Sequence, residues 1–178
     1  MNKKLMTDEE IIEALKRPFN DADIEWRISF ADTNNDGSRE YASVVCYIDS
    51  RAVQTRLDEV CGVGGWWNEA PQYNGEKTVN QGITINLPQA GKVTKWDGAE
   101  QTDIEAVKGG LSNALKRAGV LWGIGRYLYK LDAIYVTLQA DKPQDMKGWE
   151  RSKIKLGGKY TIRYWKRPTL PKEFTSGE

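Results

Sequence analysis

Residues 102–131 read TDIEAVKGGLSNALKRAGVLWGIGRYLYKL, and this stretch decides the fold. Its spacing predicts one long helix running into a glycine-punctuated, aromatic end. Lys108, Ser112 and Lys116 follow one another at i, i+4 and so form a row on one face. Ile104, Val107, Leu111, Leu115 or Ala114, Ala118, and Leu121 or Trp122 recur every three to four residues and predict the opposite, core-facing stripe. No acidic residue occurs between Glu105 and Asp132, whereas Lys108, Lys116, Arg117, Arg126 and Lys130 all fall between them. A basic helix face is ordinarily a solvated face, but such faces usually carry Glu or Asp four residues from Lys. Cations without local counter-charge, beside the small residues Gly109, Gly110, Ser112 and Gly119, suit the close approach of a polyanion.

Upstream of this segment the chain predicts strands and one further substantial helix. Thr7-Asp-Glu-Glu10 is a capping box for a short helix, Asp8 to Arg17, stopped by Pro18. Ile24, Trp26, Ile28 and Phe30 alternate with Glu25, Arg27 and Ser29, so 24–31 reads as a half-buried strand. The polar turn 32–38 leads to a second strand at about 39–48, a hairpin. Asp49 or Ser50 then caps a helix to Cys61, with Val53, Leu57 and Val60 inward and Gly62 as its stop. Strands are expected at about 66–73, 78–87 and 92–97, before Thr102-Asp-Ile-Glu105, a second capping box. Downstream, 133–138 alternates like a strand, and Gly157-Gly158 turns a hairpin within 153–165. Ile154, Leu156, Tyr160, Ile162 and Tyr164 are expected on one hairpin face, with Lys153, Lys155, Lys159 and Arg163 on the other.

Several antiparallel strands followed by a long packed helix give the α+β class, with the sheet on one side of the helix. The 178 residues suit a single domain over 1–165, its core at about 24–138, with a short carboxyl-terminal tail at 166–178.

Composition excludes much. With no histidine, Ser-His-Asp and Cys-His nucleophilic sites are ruled out, and with them nearly all mixed Cys/His zinc sites. Cys46 and Cys61 form neither a ligand cluster nor a secreted disulfide framework, so a reducing, cytoplasmic setting is expected. Neither a P-loop nor a GxGxxG fingerprint occurs; Trp67 stands where the last glycine of the latter would be. No apolar run is long enough to span a bilayer, and the amino-terminal MNKKLMTDEEIIEALK turns acidic at once, unlike a signal peptide. No cofactor, no metal and no membrane partner are expected. The formal charge of +1 conceals an asymmetry. Residues 1–61 hold 8 basic and 13 acidic side chains, residues 62–107 hold 3 and 6, and residues 108–178 hold 15 and 6. A basic carboxyl half points to nucleic acid, and charge separation also suits self-association.

The segment VKGGLSNALKRAGVLWGIGRYLY resembles the core helix of the single-strand annealing proteins of the Rad52 and Sak type. VVCYIDSRAVQTRLDEVCGVGGW, residues 44–66, resembles that family's strand-to-helix segment ending in Gly-Trp, in the expected order. The resemblance implies a β-β-β-α core whose subunits join into a ring or helical filament, with single-stranded DNA in a groove between sheet and helix. It implies that Lys116 and Arg117 contact the DNA backbone, that Lys108 and Ser112 line the same groove, and that Arg51 lies close to a basic position at the start of the preceding helix. Arg126 and Lys130 are added from charge alone. Val120 replaces a basic position of some members, and the linker 98–101 lacks the lysines of their outer site. Lys153, Lys155, Lys159 and Arg163 are candidates for such an outer DNA site. The chain ends soon after the core, which sets the expectation of a compact phage-type annealer in the cytoplasm of a bacterial host. A single-strand binding protein is a further expected partner.

Annealing requires phosphate neutralisation with base edges left free, and no bond is made or broken, so no enzyme activity is expected. Trp66 and Trp67 are candidates for base stacking, set against a core or interface role; Trp26, Trp96 and Trp122 lie on apolar patterns and are expected in the core. Three alternatives stand beside annealing. One is a passive single-strand binding module. Another is a Mg²⁺-dependent nuclease built on Asp97, Glu100, Asp103 and Glu105, and the third is a ring-forming structural protein.

Overall fold

The computed structural model describes residues 6–75, 77–100 and 106–175. Helix α1 (Asp8–Lys16) begins with the expected capping box: Thr7 Oγ1 accepts from the Glu10 amide at 3.2 Å and the Glu10 carboxylate accepts from the Thr7 amide at 2.7 Å. Ile11 and Leu15 are buried on its inner edge. The hairpin of β1 (Ile24–Thr33) and β2 (Glu40–Ile48) pairs antiparallel, with a register shift between Ile28 and Phe30. Helix α2 (Ser50–Cys61) is capped by the Asp49 carboxylate on the Ala52 amide at 2.7 Å and buries Val53 and Leu57. It also buries Arg56, which donates to the carbonyls of Leu15, Arg17 and Pro18 and lies over the Phe19 ring at 4.1 Å. One guanidinium thus satisfies a carbonyl of the last turn of α1, Leu15, and two that follow the helix, Arg17 and Pro18.

The single strand expected at 66–73 is two strands, β3 (Trp66–Asn68) and β4 (Gln72–Asn74), both paired with β5 (Thr78–Leu87). Pro71 lies in the break, where it has no amide to give the ladder. β5 pairs along its length with β6 (Gly91–Glu100), which runs three residues past the expected end. Helix α3 (Ala106–Leu121) packs on β5 and β6; Trp122, just beyond it, donates from Nε1 to the Ile83 carbonyl at 3.1 Å. On another side α3 meets α2, where a Cβ on Gly119 would lie 3.0 Å from Val53 Cγ1.

Two expectations about this segment change, and a third falls outside the described residues. The helix does not reach Leu131: it ends at Leu121, Gly123 and Gly125 take φ of 95° and 67°, and Arg126–Lys130 forms a separate 3-10 turn. Left-handed backbone at these two glycines redirects the chain. The second capping box, at Thr102 and Glu105, lies outside the described residues, as does Ile104. The apolar stripe is rotated: Ala114, Leu115, Ala118 and Trp122 are buried, but Val107 and Leu121 are exposed. A helix held between a sheet and a second helix buries the small residues at both contacts, so the stripe drawn from large apolar residues misplaces its centre.

Strand β7 (Ile134–Thr137) joins β2 to give the sheet order β1-β2-β7. The ribbon of β8 (Trp149–Leu156) and β9 (Lys159–Lys166) turns at Gly157-Gly158 and pairs Leu156 with Lys159. A two-residue turn makes positions summing to a constant into partners, and partners share a face. Ile154, Thr161, Arg163 and Trp165 therefore face inward, while Lys153, Lys155, Tyr160, Ile162 and Tyr164 face outward. The expected separation of apolar and basic faces is corrected accordingly. Trp96 is also corrected from core to surface: it pairs with Gly82 and lies flat on it, 2.7 Å from where a Cβ would be, and remains 38% exposed.

The whole is α+β with antiparallel sheets of three, four and two strands and three α-helices among the described residues. One continuous apolar core links α1, α2, α3, the first two sheets, Ile154 and Trp165 of the ribbon, and Leu170 of the carboxyl-terminal segment.

Candidate nucleic-acid interface

The i, i+4 row on α3 faces the start of α2 and the end of β2. Ser112 Oγ lies 3.0 Å from Ser50 Oγ, on the first residue of α2. Lys116 Nζ sits 5.3 Å from the centre of the Tyr47 ring, and the Arg27 guanidinium lies 5.7 Å from the same centre. Burial, and then the Arg27 charge, hold the Lys116 ammonium below the usual lysine range. Burial and the neighbouring Glu25 carboxylate push the Tyr47 hydroxyl up to about 12. Two cations therefore share one aromatic ring, with the exposed Arg51 nearby at the start of α2, 3.2 Å from Asp49. Lys108 is exposed at the other end of the row.

Arg27 and Tyr47 join this cluster without having been singled out from sequence. Both lie on the outward face of the hairpin, where the register pairs Glu25 with Tyr47 and Arg27 with Val45. The outward alternation of Glu25, Arg27 and Ser29 was the available signal. Matching it to Tyr47 required the register, and matching both to Lys116 required the docking of α3.

Arg117 points to the other side of α3. Its Nε and Nη2 reach Asp97 Oδ1 on β6 at 3.1 and 3.0 Å, so the counter-charge missing from the helix is supplied by a strand. Arg117 keeps 54% of its side chain exposed. Arg126 donates to the carbonyls of Val120 and Leu121 at 2.8 and 2.6 Å, and Lys95 donates to Leu121 at 3.0 Å over the Trp122 ring. These cations close the negative end of α3. Lys130 is exposed in the 3-10 turn that follows.

Trp66 and Trp67, neighbours on β3, face opposite ways. Trp66 donates to Asp58 of α2 at 2.7 Å. Trp67 donates to Glu69 at 2.9 Å, carries Lys92 at 5.1 Å over its ring, and shares with Trp96 the sheet face turned away from α3. On the ribbon, Lys153, Lys155 and Lys159 are exposed, whereas Arg163 turns inward to a two-pronged ion pair with Glu40, its Nη2 at 2.7 Å from Oε1. Of the carboxylates considered for a metal, Asp97 holds Arg117, and Asp103 and Glu105 lie outside the described residues. Among the described residues no three His, Cys, Asp or Glu side chains are grouped to hold a metal ion, and no helix is long and apolar enough to cross a membrane.

By sequence, the chain is similar to known proteins. The family model described as "Rad52/22 family double-strand break repair protein" matches residues 7–147. The single-stranded DNA-binding protein DdrA of Deinococcus deserti is 34% identical over 122 residues, covering 64% of this chain and 58% of that protein. The single-stranded DNA-binding protein DdrA of Deinococcus radiodurans is 32% identical over 126 residues, covering 68% of this chain and 56% of that protein. The chain thus spans little more than half the length of these relatives.

Proposed function

The chain belongs to the Rad52/22 family of double-strand break repair proteins, and on that premise we propose that it binds single-stranded DNA and anneals complementary strands, without ATP, in phage or prophage recombination and repair. The observation that carries this reading is the row Lys108–Ser112–Lys116, set against Tyr47 and Arg27 inside the matched region. Its chemistry is that of a backbone reader. Cations and hydroxyls along a helix side bind phosphates of any sequence and leave base edges free to pair. Arg117 extends the cationic surface towards β6 once a phosphate competes with Asp97, and Arg51 and Lys130 border it, whereas Arg126 is held by the carbonyls of Val120 and Leu121.

In this proposal residues 1–165 form one annealing domain that assembles into a ring or helical filament in the bacterial cytoplasm, acts beside a single-strand binding protein, and performs no bond chemistry. Trp67 is the better placed of the two tryptophans for stacking, because Trp66 is turned onto α2. A second reading, passive binding without annealing, is supported by the names of the two relatives, which specify binding alone.

Two complementary dye-labelled oligonucleotides mixed with and without the protein, in the absence of ATP and Mg²⁺, separate the two. Annealing predicts a marked rate increase that Lys116→Ala with Arg117→Ala removes, along with a fall of about 1.4 in the salt slope of binding, at about 0.7 for each phosphate no longer neutralised. Tight binding with no acceleration would leave the passive reading. Unchanged binding by the double variant would take α3 out of the interface.

A further inference from the structure

We propose that the outward face of the β8–β9 ribbon is a second binding surface for single-stranded nucleic acid, with Arg151, Lys153, Lys155 and Lys166 on phosphates and Tyr160 stacked on a base. The pairing of Leu156 with Lys159 sets the faces. Arg151, Lys153 and Lys155 on β8 and Lys166 on β9 all fall on the outward side, together with Tyr160, Ile162 and Tyr164. The one acid of the ribbon, Glu150, pairs with Trp165 on the inward side, and the inward Arg163 is neutralised by Glu40. Among the described residues none of the four outward cations is in an ion pair.

Tyr160 is 70% exposed and Ile162 39% exposed, and Lys153 Nζ lies 5.2 Å from the Tyr160 ring centre. Alternate residues of one strand stand about 6.8 Å apart, so Arg151, Lys153 and Lys155 form an evenly spaced cationic track beside an open aromatic ring. A polyanion with stackable bases complements both features at once, because stacking tolerates any base and phosphates satisfy a row of like charge.

The ribbon is held as a platform rather than a flap. Ile154 and Trp165 are buried, Trp165 Nε1 donates to Ser152 at 2.9 Å, and Gln139 and Tyr164 exchange backbone hydrogen bonds at 3.0 and 2.9 Å. Arg167, just past β9, donates to the carbonyls of Asp21 and Ile24. The ribbon begins at Trp149, beyond the residue at which the family match ends. Relative to the basic set expected from sequence, Lys159, paired with Leu156, and Arg163 leave this face, while Arg151, Lys166 and Tyr160 enter it.

This inference rests on the single-strand reading, and its test separates the two. The full chain is titrated with an oligo(dT) 40-mer at several salt concentrations. The variants are Lys153→Gln with Lys155→Gln, Tyr160→Leu, and Lys116→Ala with Arg117→Ala. The ribbon lysine pair is expected to lower the salt slope by about 1.4, and Tyr160→Leu to weaken binding about tenfold at unchanged slope. Wild-type slope and affinity in both ribbon variants, with weakened binding in the α3 variant, would overturn the ribbon surface and leave the single-strand reading standing. Absence of any binding by the wild-type chain would overturn both. Ribbon variants that bind DNA normally but no longer hold an acidic peptide bound by the wild type would reassign the face to a protein partner.

Discussion

Lys116 shows how one side chain acquires its character from three elements. On α3 alone it is an ordinary surface lysine; beside Tyr47 and Arg27 it is half-buried and its ammonium is easier to deprotonate. A lowered pKa means the charge is lost earlier as pH rises, so single-strand affinity is expected to fall on the alkaline side before ordinary lysines titrate. Lys116→Arg should extend binding to higher pH, since arginine stays charged; equal alkaline decline in both proteins would show that Lys116 does not carry the effect. Glu40 titrates the other way. The Arg163 guanidinium holds its carboxyl below the usual range, so its contribution to stability is present above the ordinary carboxylate pKa and is lost as pH falls through the lowered value. Glu40→Gln is expected to destabilise the fold by about 1–3 kcal/mol at neutral pH and to flatten the acid limb of the melting-temperature profile. A variant that melts with the wild-type acid dependence would refute that assignment.

At the scale of elements, the ends of α3 matter more than its length. Arg126 and Lys95 bond the last carbonyls, where the helix dipole favours cations. Arg126→Gln should therefore lower the urea midpoint, with a loss of about 1–2 kcal/mol, and leave the salt slope of DNA binding unchanged. An unchanged midpoint with a shallower slope would make Arg126 a phosphate contact instead. The same scale explains the reversed faces of the β8–β9 ribbon. Alternation within each strand was legible, but which strand positions share a face depends on the loop length, and a two-residue loop places the even positions of β8 with the odd positions of β9. Pro71 divided the expected strand 66–73 for an equally local reason, the missing amide.

Across the whole molecule, charge is unevenly divided, with the basic excess in residues 108–178. Part of that excess is neutralised internally: Arg117 by Asp97, Arg163 by Glu40, Arg126 by backbone carbonyls. Lys153, Lys155 and Lys166 of the ribbon remain outward, so binding is expected to be steeply salt-dependent. The acidic amino-terminal half and the basic carboxyl half also suit head-to-tail assembly, which generates rings or filaments. Light scattering at low salt should give a mass several times the 20.2 kDa of one chain; a single species at the monomer mass would remove the ring from the proposal.

The sequence by itself determined the local structure: the capping box of α1, the Asp49 cap of α2, the span of β5, the Gly157-Gly158 turn, and the two segments that carry the family resemblance. These depend on interactions between residues close in the chain, which composition and spacing record. Only the tertiary structure decided the partners. Asp97 reaches Arg117 from 20 residues away, Ser50 reaches Ser112 across 62, and Glu40 reaches Arg163 across 123. Such pairs depend on strand register and on how helices dock against sheets, quantities set by packing the whole core at once. That is why the cationic row was legible, whereas its ring of Tyr47 and Arg27, and the capture of Arg163 by Glu40, were not.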